Sequence, residues 1–231
     1  MLIESKAALS DVVQIHPSDF DKSSAHAIED FINAKYADKV VHKLGLCVGF
    51  HSIISTSEGL IGHGTGIVNV NVDFRMIVFR PFKGEILNAT ITQSAPALGI
   101  VLSHDFFEDV VVPPETLFDG TEWGKDDMGT EAFIWYQKVD EEDEPNQFFF
   151  DRAERCLYRV EEEQWHDMSP NTQRSNQDFV SEDAMDGREV RKTPYLIRGS
   201  MMLSGLGPTL WWLGEGQEED MMEIEEGDDS D

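Results

Sequence analysis

The chain has 231 residues, 40% of them hydrophobic, with 45 acidic and 18 basic side chains and a formal charge of −27 at pH 7. That length supports one large domain or two small ones with separate cores, and no apolar run approaches the roughly 18 residues that suggest a membrane span. The charge is uneven, 13 acidic against 8 basic residues through Val112 and 32 against 10 from Pro113 onward; this argues against broad electrostatic capture of nucleic acid by the C-terminal half, though not against a small local contact.

In chain order, residues 9–15 read as a short strand ending at His16-Pro17. Ser18 and Asp19, or Ser23 and Ser24 a turn later, can cap a helix. Residues 24–36 then place Ile28, Phe31, Ile32 and, less cleanly, Tyr36 at helical spacing, with Glu29, Asp30 and Lys35 pointing away. An amphipathic helix packed on a sheet is the expectation. Residues 44–54 read as a strand with Leu46, Val48 and Phe50 on one face. Residues 59–66, GLIGHGTG, are glycine-dense and form a loop or tight turn.

The next stretch changes parity. From Val68 to Met76 the even positions are apolar (Val68, Val70, Val72, Phe74, Met76), the signature of a strand with one face in a core. After Pro81 the odd positions carry the apolar side chains Leu87, Ala89 and Ile91. A uniform strand cannot change its buried face midway, and proline lacks the N–H a central ladder needs. Arg80-Pro81-Phe82 is therefore read as a joint between two β-containing domains, 1–80 and 81–214.

Beyond the joint, residues 84–93, 99–103, 109–112, 134–138 and 156–160 read as short strands, with 195–198 a returning edge. About five short strands separated by turn signals suggest a small barrel, and the OB-fold is the common five-stranded case. The fold class is thus α+β: a small N-terminal α+β domain, then an all-β barrel with insertions. Residues 140–144 are five consecutive acids, read as a hairpin tip in water. Residues 169–192 are polar and read as a mobile insertion. Residues 215–231 hold ten acidic residues and no basic one, read as a disordered acidic tail.

No catalytic constellation emerges. The HGTG sequence at 63–66 resembles an oxyanion loop, but the G-x-S-x-G elbow that would accompany it does not occur, and no Lys-Ser or Lys-Thr follows the glycines as a phosphate loop requires. Cys47 and His51 are four apart, yet two ligands fall short of the four of a structural zinc site; a core cysteine beside a partly exposed histidine is the preferred reading. No metal and no cofactor is implied. Two distant cysteines make no disulfide framework, and MLIESKAALSD has no basic region followed by an apolar stretch. A reducing compartment without membrane contact is expected. The residual signal is aromatic. Phe82, Phe106, Phe107 and the run Phe148-Phe149-Phe150 lie in or beside barrel strands, where rings either stack on bases or fill the barrel. Arg152, Arg155 and Arg159 could face RNA or offset nearby acids, and both readings stay open. Trp211-Trp212 read as an anchor for the C-terminal end or for a partner.

At the joint, NVDFRMIVFRPFKGEIL closely resembles the corresponding junction in the stalk subunits shared, in paralogous forms, by archaeal and eukaryotic RNA polymerases. The RNA polymerase III form is the nearest, with the seventh subunit of RNA polymerase II and the archaeal stalk protein as its paralogues. LSDVVQIHPSDF, AIEDFINAKYADKVVHKLGLCV, SEGLIGHGTGIVNVNV, DFFEDVVVPPETL and TPYLIRGSMMLSGLGPTLWW extend the resemblance, which covers most of 9–168 and 193–213. The first eight residues depart from the family's usual start, and the C-terminal acidity exceeds its usual pattern. The resemblance implies a non-catalytic, nuclear subunit of a nucleotidyltransferase complex, with a tip domain, an OB-fold and a role in transcription initiation. It implies that Gly59, Leu60, Ile61, Gly62, His63, Gly64, Thr65 and Gly66 dock on the polymerase core. It places Phe79, Arg80, Pro81 and Phe82 near a helical stalk partner, and gives the OB-fold to initiation factors and nascent RNA; the candidate RNA contacts from the residues themselves are Phe106, Phe107, Arg152, Arg155 and Arg159. The alternative is a free single-stranded-RNA-binding OB module.

Overall fold

The computed structural model describes residues 5–62, 64–125, 129–137, 146–166, 168 and 193–212. The acidic run at 140–144, the insertion at 169–192 and the tail at 215–231 lie outside the described residues. The chain divides into two compact units, Met1–Pro81 and Phe82–Asp231.

The N-terminal unit comprises β1 (Ser5–Ile15), α1 (Ser24–Tyr36), β2 (Lys39–Val41), β3 (Gly45–Thr56), β4 (Leu60–Ile61) and β5 (Val68–Phe79). The sheet runs β1-β5-β3-β2, with β4 pairing the start of β5. Helix α1 begins at Ser23, whose Oγ accepts the His26 backbone N–H at 3.3 Å, satisfying one of the donors a helix start leaves open. Its Ala27, Ile28 and Ile32 join Val70, Val72, Phe74, Met76 and Val78 of β5 in one core, so the alternation along β5 becomes one buried face. Asp11 of β1 accepts hydrogen bonds from Lys35 Nζ at 2.5 Å and Tyr36 Oη at 2.7 Å, tying the last turn of α1 to the sheet.

Two expectations change here. Strand β1 begins at Ser5, not at residue 9, because the long β5 supplies a ladder partner as far as Val78. On β3, Val48 does not share a buried face with Leu46; it is 47% exposed, while the adjacent Leu46 and Cys47 are both buried. Register shifts between Cys47 and Gly49, Phe50 and Ser52, and Ile53 and Ser55 interrupt the two-residue period, and each bulge moves the following side chains to the other face.

In the C-terminal unit come β6 (Ile86–Ala95), β7 (Gly99–Ser103), β8 (Val110–Val112), β9 (Thr121–Lys125), β10 (Glu131–Gln137), β11 (Asn146–Phe149), β12 (Arg155–Trp165), β13 (Tyr195–Ser200) and β14 (Gly207–Pro208). Strands β12, β6, β7, β8 and β13 are neighbours in that order, and β13 pairs back onto β12 to close the ring. Every pairing in the ring is antiparallel except β8 with β13. This is the five-stranded OB barrel. Its interior holds Ala89, Ile91, Ile100, Leu102, Val110, Val112, Cys156, Tyr158, Val160 and Ile197, all at most 5% exposed. Strand β13, expected as an edge, has a neighbour on both sides. Between the third and fourth barrel strands lies a separate three-stranded sheet, β11-β10-β9; the stretch expected as the fourth barrel strand from residue 134 falls in its β10, pairing with β9 and β11 rather than with the ring, where β13 takes the fifth place.

Candidate partner and RNA interfaces

The glycine-dense loop is held at both ends. Leu60 and Ile61 pair with Asn69 and Val68. The Thr65 Oγ1 donates to the Gly62 carbonyl at 3.1 Å and accepts the Ile67 N–H at 3.3 Å. The first of these anchors itself carries two large exposed aliphatic side chains, Leu60 at 70% and Ile61 at 64% exposure. Gly64 has φ 67° and Gly66 φ 74°, conformations that a Cβ makes costly. His63 lies outside the described residues.

At the end of β5, Phe79 is buried, and the exposed Arg80 donates from its guanidinium to the Lys43 carbonyl at 2.8 Å. Pro81 is buried. In the C-terminal unit, Phe82 is 58% exposed, and its N–H is held by the Glu85 carboxylate at 3.0 Å. Each of these hydrogen bonds lies within its own unit, and Arg80 and Phe82 are exposed.

On the barrel, register places three residues in one row: Arg155 opposite Thr90, and Thr90 opposite Ser103. Arg155 is exposed and Thr90 half-buried, their neighbours Cys156 and Ala89 pointing inward, whereas Ser103 is buried and its Oγ accepts the Asp105 N–H at 3.2 Å. The turn that carries Phe106, 41% exposed, follows directly from Ser103. Arg152 sits in the exposed turn before β12. Thus the structure brings Arg155 and the Phe106 turn to the same level of the barrel. It does not bring Phe107 or Arg159 with them. Phe107 is 4% exposed and its ring packs on Tyr195 with centroids 5.4 Å apart. Arg159 lies four residues along β12, opposite Ile86, and is paired with Glu161. Acidic neighbours limit the patch: Asp105 and Glu108 follow β7, and Asp151 and Glu154 flank Arg152. Burial, reinforced by Asp151, pushes the Glu154 carboxyl above its usual range.

Behind this surface, His104 and Tyr158 share a 2.7 Å hydrogen bond. Burial draws His104 below the usual histidine range and pushes the Tyr158 phenol well above its own. Cys47 is buried and shifted upward by that burial, while His51 is exposed and its ring meets Ser52 Oγ at 2.9 Å. The Phe148–Phe150 run (residues 148–150) is largely internal. Trp211 gathers Phe118, Trp135, Phe148 and Phe150 within 4.7–6.2 Å between centroids. Trp211 was legible as an anchor, but its partners were not, because they come from three separate segments.

Both units have known counterparts. Residues 10–66 match the SHS2 domain found in the N terminus of Rpb7p and Rpc25p, so an Rpb7-type domain followed by an OB barrel defines a polymerase-subunit class. Residues 85–212 match the family described as RNA polymerase III subunit Rpc25. Similar proteins include DNA-directed RNA polymerase III subunit rpc8 of Schizosaccharomyces pombe, 32% identical over 88% of this chain and 96% of that protein. The RPC8 subunit of Saccharomyces cerevisiae is 31% identical over 92% of this chain and all of its own length. That of Bos taurus is 31% identical over 87% and 95%. The chain belongs to the RNA polymerase III subunit Rpc25 family. Among the described residues no helix is long and apolar enough to cross a membrane.

Proposed function

We propose that this chain is the non-catalytic stalk subunit of a nuclear RNA polymerase III, acting in transcription initiation. The observation that carries the reading is similarity over nearly the full length of RNA polymerase III subunits, spanning both units. The 59–66 loop docks on the polymerase core through Leu60 and Ile61. Residues 79–82 contact a helical stalk partner, and the barrel faces initiation factors and nascent RNA. The test is reconstitution of the stalk with polymerase lacking this subunit. Leu60→Asp with Ile61→Asp is expected to weaken binding by at least tenfold. Gly62→Ala and Gly64→Ala should weaken it while the N-terminal unit stays folded. A Cβ at either meets nothing within 4 Å, and only Gly64 has positive φ. Wild-type binding by the Leu60/Ile61 double variant would remove the docking assignment.

A second reading, a free module for single-stranded RNA, draws on exposed Arg155 and the Phe106 turn, which lie at the same level of the barrel. It predicts RNA affinity in the isolated chain that falls as salt rises. It also predicts loss of that affinity in Arg155→Glu. Stable association only with polymerase subunits, and no RNA affinity alone, decides for the first reading.

A further inference from the structure

Residues 193–212, which complete the C-terminal unit, differ in charge from the rest of their half. From Pro113 onward there are 32 acidic and 10 basic residues, whereas this stretch holds a single charged side chain, Arg198. Its last part is apolar and turned outward. After fully buried Met201 come Met202 at 57% and Leu203 at 46% exposure. The Leu206 N–H donates to the Leu203 carbonyl at 3.1 Å and closes a tight turn. The indole Nε1 of Trp212 then donates to the Leu206 carbonyl at 2.9 Å. That bond draws the end of the helical turn Thr209–Trp212 back onto the Leu203–Leu206 turn. Trp212 is 41% exposed and Leu210 45%, while Trp211 between them turns inward to the aromatic cluster. Single exposed apolar residues are ordinary on a protein surface. Several gathered at one place form the kind of patch that another stretch of polypeptide covers.

The nearest candidate to cover it is the chain's own end. Residues 213–231 follow Trp212 directly, and beyond Leu213 their apolar residues are Met221, Met222 and Ile224, gathered within four positions among the acids. Met221 follows Trp212 by nine positions, a connection that spans about 30 Å when extended and returns to its own base at small entropic cost. Tethering over this length gives an effective concentration of about millimolar, so a contact too weak to form between separate molecules can form within one. Charge permits the return. Acids elsewhere in this half repel the tail, but residues 199–212 contain none, and Thr209 Oγ1 donates to the carbonyl of exposed Arg155 at 3.2 Å. A second copy is a poorer occupant, because two chains of charge −27 repel each other. We propose that Met221, Met222 and Ile224 fold back onto Met202, Leu203 and Trp212, so that the acidic tail covers this patch. Methionine suits the task, since its flexible thioether adapts to a shallow surface and packs on an indole ring. An apolar segment of another protein reaches the patch only by displacing the tail.

The test is methyl NMR of the full chain labelled at methionine, with the free peptide 213–231 as reference. The Met221 and Met222 methyl resonances are expected away from their positions in the peptide. They should return to those positions in Met202→Ser/Leu203→Ser, whose side chains are exposed and whose urea midpoint should stay unchanged. If that variant lowers the midpoint, Met221→Ser/Met222→Ser/Ile224→Ser removes the anchors from outside the described fold and keeps all ten acids. The Met202 methyl must then shift as it does when residues 213–231 are deleted. Wild-type Met221 and Met222 resonances at the peptide positions overturn the inference. So does a displacement that vanishes at high salt, which would mark a contact made by charge and not by apolar anchors. A photocrosslinker at exposed Ser204 should capture residues 221–224 of the same molecule at every protein concentration; capture between copies assigns the patch to self-association and overturns the inference.

Discussion

Two residues concentrate local constraint. Gly99 opens β7 with φ 93°, and a Cβ there would sit 2.1 Å from the Val112 carbonyl oxygen. Gly99→Ala therefore combines a backbone clash with an unfavourable dihedral, and should cost roughly 3 kcal/mol or more of barrel stability, read as a fall in urea midpoint. His104 acts through its proton. Burial holds it below the usual histidine range, against smaller upward pulls from the Asn88 backbone and Asp105. The folded state thus binds fewer protons than the unfolded chain near its ordinary pKa of about 6.5. The stability this group contributes is present above that value and is lost as pH falls toward the depressed folded pKa. Urea midpoints should drop between about pH 7.5 and 5.5, and His104→Gln should flatten that dependence. An equal slope in the variant would assign the effect elsewhere.

Among the elements, the inserted sheet depends on rings more than on ladder bonds to the barrel. Trp211 contacts β10 through Trp135, β11 through Phe148, and the segment before β9 through Phe118. Trp135 itself stacks on Phe118 at 4.5 Å. Trp211→Ala should cost about 3–5 kcal/mol and remove near-ultraviolet ellipticity, while the far-ultraviolet spectrum of the barrel persists. The β12–β13 connection behaves differently. Trp165 stacks on Tyr195 at 4.0 Å, and the His166 N–H donates to the Pro194 carbonyl at 3.1 Å. These contacts bring the two ends of the 169–192 segment together outside it. Much of both elements was hidden from the sequence. β9, TEWGK, has too few apolar residues to show a period; its partner strand is what makes it a strand.

For the whole molecule, charge sets the terms. The segment from Pro113 carries 32 acidic and 10 basic residues, so an RNA contact at Arg152 and Arg155 works against a negative field. Removing residues 215–231 deletes ten acids and no base. It should raise the RNA affinity of the chain at low salt and leave little difference at high salt, where screening suppresses both. Unchanged low-salt affinity would remove repulsion by the tail as its role. The same acidity spares the N-terminal unit, whose proposed docking surface is apolar, so docking on polymerase should depend weakly on salt.

Local chemistry was enough for much of this protein. The even-numbered apolar face of β5, the capped helix from Ser24, the reversed parity after Pro81 and most barrel strands were readable because side-chain period and turn residues act over a few positions. The turn that ends residues 59–66 was legible for the same reason, glycine spacing being a local property, but the short strand at Leu60–Ile61 was not, because its pairing with β5 makes it. The tertiary structure decided the rest. It set the faces of β3 through three bulges imposed by pairing with β5. It placed β13 inside the ring through a parallel pairing with β8, joined residues 118, 135, 148, 150 and 211 into one cluster, and separated exposed Phe106 from buried Phe107. Each of these depends on contacts between residues far apart in the chain, whose geometry no short window of sequence contains.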